Sequence, residues 1–356
     1  MTMFFSGPRA WRSLSVRIRT AGAVFGLGAA LLMVSGAALA DTPIKLVMSW
    51  KYEGPQAFYY IAQDKGYFKA EGLDVSIDQG EGSSASVPKV AAGAYDAGVG
   101  DTSALIQMVA REPAQAPKAV FMMYNTPPFV IAVKADSSIK TPKDLEGKTV
   151  GAPAGDGALK LFPALAKQTG IDPLKVTLTN MAPNLREQLL MRGQVDAVFG
   201  YLTTITFSAK AMGIDPATQL RFIRYGDYGM DLYSNAIFFS QPFIKAHPDA
   251  VRGFLTALDK AIKDVVADPE AGVDAVMKRE PLLKRDVELA KLKTAIATDM
   301  SHPEIARIGL GDVDEERLDK NIAVVVDTNA LPATPSADAV FDRSFLPPRD
   351  TRLSAL

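Results

Sequence analysis

GAYDAGVGDTS, residues 93–103, returns one hundred positions later as GQVDAVFGYLT, residues 193–203. Gly93, Asp96, Ala97 and Gly100 match Gly193, Asp196, Ala197 and Gly200 at a single offset. Upstream, Gly72-Leu73-Asp74 and Gly170-Ile171-Asp172 match at an offset of 98. Strand-helix-strand units resemble one another in any case, because glycine commonly closes helices and buried strands share a pattern. Four identities at one spacing go further and predict two related lobes.

Outward from the repeat, β-rich runs alternate with helical ones. The first half has strands predicted at IKLVMSW (44–50), LDVSI (73–77), YDAGVG (95–100), AVFMMY (119–124) and FVIAV (129–133), with helices over 56–70, 83–93 and 102–111. The second half has strands at KTVGA (148–152), KVTLTN (175–180), VDAVFGY (195–201) and LRFIRYG (220–226), with helices over 157–170, 184–193 and 203–213. Strand NAIFF (235–239) leads into a helical region over roughly 241–300. This alternation is that of an α/β protein with helices flanking mainly parallel sheets. His247 and His302 each precede proline and read as helix-boundary residues, not ligands. Residues 331–356, rich in proline and serine, are expected to form a loosely packed tail.

Composition narrows the function. The chain has 356 residues, 39 basic and 40 acidic, with two histidines and no cysteine. That length suggests two domains. Lack of cysteine excludes disulfides, thiolate metal sites and cysteine nucleophiles, and the charge balance argues against nucleic acid as a partner. Residues 1–40 hold only arginines as charges (Arg9, Arg12, Arg17, Arg19), then an apolar stretch ending Ala38-Leu39-Ala40. This reads as a secretory signal peptide, cut between Ala40 and Asp41, in preference to a membrane anchor. Beyond it, 35 basic and 40 acidic residues leave a charge of −5. No cysteine follows the cut, so no lipid anchor is expected, and the periplasm is the expected compartment.

In open α/β sheets, ligands bind outside the carboxyl ends of strands, beside helix N-termini. That rule selects Trp50, Tyr52, Gln56 and Tyr59 after the first strand, and Ser83 and Ser84 in the turn Gly80-Glu81-Gly82-Ser83-Ser84. It also selects Asp101 and Thr102, Asn125 at the exit from the first half, Asp156 and Tyr201 in the second, and Asp231 where the chain crosses back. The aromatic residues serve equally as core, and Asp101 or Thr102 as a helix cap. Equivalent sites in two lobes joined by two crossings imply a cleft that closes by hinge motion. No catalytic serine elbow, phosphate loop or metal cluster is present, so no catalytic residue, metal or cofactor is expected. Paired carboxylates such as Asp101 and Asp156 keep a secreted enzyme open as an alternative.

WKYEGPQAFYYIAQDKGYFKAEGLDVSI (50–77), GSSASVPKVAAGAYDAGVGD (82–101) and TPKDLEGKTVGAP (141–153) resemble the periplasmic solute-binding proteins of ABC importers, in the nitrate/sulfonate/taurine and thiamine-pyrimidine-precursor group. The resemblance runs from about Ile44 to about residue 300. It implies a two-lobed periplasmic-binding-protein type II fold, with two α/β lobes joined by two hinge crossings. The lobes would be 41–128 with 237–330, and 129–236. It implies capture of a small-molecule ligand by a monomer, delivery to an inner-membrane permease, and no nucleic-acid partner. A sensor docking on a membrane receptor would use the same lobes. An enzyme branch of the family uses a histidine and a cysteine-rich motif; residues 41–246 hold neither residue type. An anionic ligand would call on Ser83, Ser84, Lys51 and Arg186. A planar heterocycle, the favoured reading, would call on Trp50, Tyr52, Tyr59, Tyr124 and Tyr201, with Asp101, Asp156 and Asp231 as acceptors.

Overall fold

The computed structural model describes residues 41–356. The expected signal peptide, 1–40, lies outside the described residues. Strands β1 (Thr42–Val47), β2 (Leu73–Asp78), β3 (Ala97–Asp101) and β4 (Lys118–Met122) belong to one sheet. A second sheet holds β5 (Phe129–Lys134), β6 (Thr149–Ala152), β7 (Thr177–Asn180), β8 (Ala197–Tyr201) and β9 (Leu220–Arg224), after which β10 (Asn235–Phe239) rejoins the first. The strand orders are β2-β1-β3-β10-β4 and β7-β6-β8-β5-β9. In each sheet four strands run one way and one is reversed: β10 is antiparallel to β3 and β4, and β5 to β8 and β9. The reversed strand is always the one that has just crossed from the other sheet. The result is two mainly parallel α/β lobes, linked by crossings between β4 and β5 and between β9 and β10.

The sequence repeat does the same backbone work in both lobes. Gly93 and Gly193 are left-handed, with φ of 74° and 67°, and close their helices by N–H bonds of 3.0 Å to Val90 O and Leu190 O. Asp96 Oδ2 accepts the Lys45 N–H at 2.8 Å, and Asp196 Oδ2 accepts the Thr149 N–H at 2.8 Å. Each aspartate thereby ties the entry of its strand to the neighbouring one.

The expected helix 56–70 is a 3-10 turn (Gly54–Gln56) and two helices, Ala57–Asp64 and Tyr67–Ala70. Gly66, at φ 70°, separates the two. After β10, helix Pro248–Ala267 packs on Ala57–Asp64 of the first lobe, while Arg285–Ala295 packs on Leu202–Ala211 of the second. Helix Glu315–Thr328 touches both lobes, through Thr102–Arg111 and Gly157–Thr169. The C-terminal region therefore braces both lobes, where the first alone was expected. His247 links helices Gln241–Ala246 and Pro248–Ala267.

The tail departs from expectation. Asp342 N–H bonds Ala119 O at 2.8 Å, beside a bridge between Phe341 and Ala119. Arg352 donates to the carbonyls of Gly309 and Leu310 at 3.2 and 2.8 Å, and Val340, Phe341 and Phe345 are buried. Proline and serine keep the elements there short (Ala337–Val340, Arg343–Phe345 and Arg349–Thr351) without precluding packing. Among the described residues, no helix is long and apolar enough to cross a membrane.

Candidate ligand-binding cleft

Between the carboxyl ends of the two sheets lies a cavity of about 490 Å³, counting its mouth. The first lobe contributes Ser49, Trp50, Glu53, Gln56 and Ser83 to its wall; the second contributes Asp156, Arg186, Tyr201, Thr203 and Thr204. Tyr124 lines it from the first crossing, Asn235 from the start of β10, and Asp299 from the C-terminal helices. The lobes touch at the rim. Ser84 N–H donates to Gly155 O at 3.0 Å, and a Cβ on Gly82 (φ 145°) would lie 2.2 Å from that same oxygen. Only glycine permits this approach.

Arg186 opens helix Arg186–Met191 and is fully buried. Its Nη2 and Nε donate to Glu187 Oε1 at 2.7 and 3.0 Å, and Nη1 stands 3.7 Å from Asp156 Oδ2. The guanidinium carbon lies 5.6 Å from the centre of the Trp50 ring, across the cleft. Burial disfavours the charge, but Glu187 and Asp156 outweigh it and hold the Arg186 pKa up. Lys291, behind the first-lobe wall, is likewise held by Glu53 at 3.0 Å and Glu288 at 3.3 Å.

Asp299 sits in a π-turn, Ile296–Met300, that ends helix Arg285–Ala295. Its Oδ1 accepts bonds from Thr203 (3.2 Å) and Thr298 (2.9 Å). Burial pushes its pKa up to about 6, against these hydrogen bonds. Burial also raises Asp156, with Arg186 opposing. Tyr201 reaches from the second lobe to Ser234 Oγ (2.8 Å) and Asn235 Oδ1 (3.1 Å).

Of the residues expected at the site, Trp50, Gln56, Ser83, Asp156 and Tyr201 surround the cavity. Tyr59 is one layer deeper, on a small side pocket that shares Gln56, Tyr124 and Asn235 with the cleft. Ser84 is at the rim, with its hydroxyl buried and unpartnered. The others are engaged elsewhere. Tyr52 donates to Ile77 O at 2.9 Å and meets Tyr60 edge-on. Asp101 caps its helix through Ser103 and Ala104 N–H, and burial raises its pKa to about 7. Thr102 donates to Ser234 O at 2.6 Å.

Asn125 and Asp231 belong to a clasp behind the cleft. Arg317, on helix Glu315–Thr328, donates to Asn125 O (2.6 Å), Asp231 Oδ1 (2.7 Å) and Glu304 Oε1 (3.0 Å). Glu304 also accepts from Asn125 Nδ2 (2.8 Å) and Tyr233 OH (2.9 Å). Asn321, one turn on, bonds Tyr233 N–H at 2.6 Å and Asp231 O at 3.1 Å. One helix thus grips both crossings.

The wall residues that the strand-end rule did not select include Ser49, Glu53, Thr203, Thr204, Asn235 and Asp299. Glu53 and Thr203 stand within three residues of selected ones, so a wider window would have reached them. Asp299 carries no comparable signal.

A family model described as NMT1/THI5 like matches residues 55–272. Relatives include the riboflavin-binding protein RibY of Chloroflexus aurantiacus, 24% identical over 85% of this chain and 86% of its own. Another is the 4-amino-5-hydroxymethyl-2-methylpyrimidine phosphate synthase THI13 of Saccharomyces cerevisiae, 24% identical over 71% of this chain and 76% of its own. Among solved structures, the alkanesulfonate-binding protein SsuA from Xanthomonas axonopodis, bound to MOPS, superposes with a TM-score of 0.65 at 14% identity, covering 84% of this chain and 98% of that one. The shared feature is the two-lobed periplasmic-binding-protein fold.

Proposed function

The chain belongs to the NMT1/THI5-like family, and from that premise we propose that it is the solute-binding component of an ABC-type importer. It captures a small organic solute between its lobes in the periplasm and delivers it to a membrane permease. The observation that supports this reading is the cleft itself. Both lobes wall it, their rims meet at Ser84 and Gly155, and a two-strand hinge lies behind. Trp50, Tyr124 and Tyr201 suit a planar solute. The names of the relatives point to three ligand chemistries: riboflavin, an aminopyrimidine phosphate and an alkanesulfonate.

A synthase reading has the yeast relative in its favour. The cavity wall, however, contains neither histidine nor cysteine, the residue types on which the enzyme branch relies. A thermal-shift and small-angle scattering screen of pyrimidines, flavins, sulfonates and nitrate separates the readings. A ligand at 100 times its dissociation constant adds about 2.7 kcal/mol to stability and should leave the particle more compact. Conversion of the bound compound into a product would overturn the transport reading.

A further inference from the structure

The unfilled hydrogen bonding on the cleft wall comprises acceptors and the Ser83 hydroxyl, with no unpaired cation beside them among the described residues. Arg186, the cation of the wall among the described residues, already serves Glu187 and faces Asp156. Lys291 behind it serves Glu53 and Glu288. An incoming anion would find no free cation on the wall among the described residues, and four carboxylates (Glu53, Asp156, Glu187, Glu288) paired with these two. The acceptors are less fully used. Gln56 Oε1 is buried without a partner, on a side chain that lines the cavity. Asp299 spends Oδ1 on two threonines, while Oδ2 takes no hydrogen bond among the described residues and no cation stands against it.

Asp299 is also held by a dedicated backbone. A π-turn carries an extra residue per turn and is found disproportionately at functional sites. Here the turn is pinned to the first crossing: Thr126 N–H donates to Asp299 O at 3.0 Å, and its hydroxyl to Ser301 O at 2.5 Å. Thr203 approaches from helix Leu202–Ala211 of the second lobe, on which helix Arg285–Ala295, leading into the turn, packs. One oxygen is committed to the two threonines and the other is left for the occupant.

We propose that Asp299 is the specificity-determining residue of the cleft. It accepts a hydrogen bond from an N–H group of a neutral or cationic planar ligand, such as an amino or amidine group, and disfavours sulfonates and other anions. This rests on the solute-binding reading, which would stand for any ligand class. Buried acceptors that lose a donor remain unpaired, which is why a site built for N–H groups rejects analogues that lack them.

The test uses four probes in calorimetric titrations of the purified protein: 4-amino-5-hydroxymethyl-2-methylpyrimidine, benzamidine, benzenesulfonate and MOPS. The expected result is binding of at least one of the two N–H probes in preference to both sulfonates. Asp299→Ala should weaken that binding by about 10- to 100-fold, the range for a hydrogen bond to a charged group. Asp299→Asn should narrow the preference between benzamidine and benzenesulfonate, a readout that loss of packing alone would not move. Unliganded melting of both variants reports folding separately. Tighter binding of a sulfonate, or an unchanged N–H ligand affinity in Asp299→Ala, overturns the assignment and leaves solute binding intact. Binding of none of the four probes overturns the assignment together with the site reading.

Discussion

Asp101 and Tyr201 stand at the same step of the repeat, each ending a strand and opening a helix, yet they serve different ends. Asp101 turns back and caps its own helix. Tyr201 caps nothing and extends to Ser234 and Asn235 across the cleft. One hundred positions also separate Ser86 from Arg186, and the contrast repeats. Ser86 Oγ would sit 2.1 Å from a Cβ on Gly100, and Arg186 Nη1 2.5 Å from one on Gly200. The two glycines leave room for a hydroxyl in one lobe and a guanidinium in the other. At these two slots the first lobe spends its side chains on its own backbone, and the second sends them to the cleft. A shared backbone device therefore does not carry a shared chemical role.

The sharpest way to break this contrast is to empty both helix-start slots. Arg186→Met leaves Glu187 and Asp156 buried without their cation and should cost about 3–5 kcal/mol. Ser86→Ala, which removes one 3.3 Å bond to Ser83 O, should cost about 1 kcal/mol or less. Urea denaturation of both variants checks the difference; equal losses would erase the distinction between the lobes.

Next in size is a pH effect. Asp299 and Asp101 have folded-state pKa values of about 6 and about 7, raised from 3.8 by burial. The unfolded chain therefore releases these protons first, and stability falls as pH rises from about 4 to about 6 for Asp299 and to about 7 for Asp101. Asp299→Asn should remove the first part and stabilise the unliganded protein above pH 6, by on the order of 2–3 kcal/mol. Below pH 4 the variant and the parent should melt together. A stability gain paired with weaker ligand binding is the expected mark of a binding carboxylate. A pH profile left unchanged by the substitution would remove Asp299 as its source.

The smallest effects test the strand ends. Asp101→Ala removes a helix cap and should lower stability by about 1 kcal/mol, with ligand affinity unchanged. Tyr201→Phe should change unliganded stability by less, and weaken ligand binding, because its hydroxyl ties the second lobe to the first-lobe strand. Melting and titration of the pair give the crossed pattern; a parallel pattern would show both residues working locally.

The same contrast explains what was legible beforehand. Strand and helix order, the repeat and both crossings follow from periodicity and glycine placement, which act locally. Trp50, Gln56, Ser83, Asp156 and Tyr201, which the strand-end rule selected, lie on the cavity wall because backbone geometry alone brings such positions to the cleft. At Asp101, Thr102, Asn125 and Asp231 it selected residues off the cavity wall, whose polar atoms nearby N–H groups, carbonyls or Arg317 claim. It missed Asp299 because IATDM has no turn signature, and because that carboxylate reaches the cleft only through the packing of a distant helix. Arg186 was legible as a possible anion anchor, but its neutralisation by the adjacent Glu187 depends on rotamers.

Helix Glu315–Thr328 holds both crossings through Arg317 and Asn321, and in the hinge motion that the proposed function calls for this would couple the two crossings. Two crossings bending separately could twist or shear the lobes as well as part them. Strapped to a common bar, they would rotate together. A single distance between two labels, one on each lobe, would then follow the motion. A membrane complex that senses the spacing of the lobes would receive an unambiguous signal: occupied or empty.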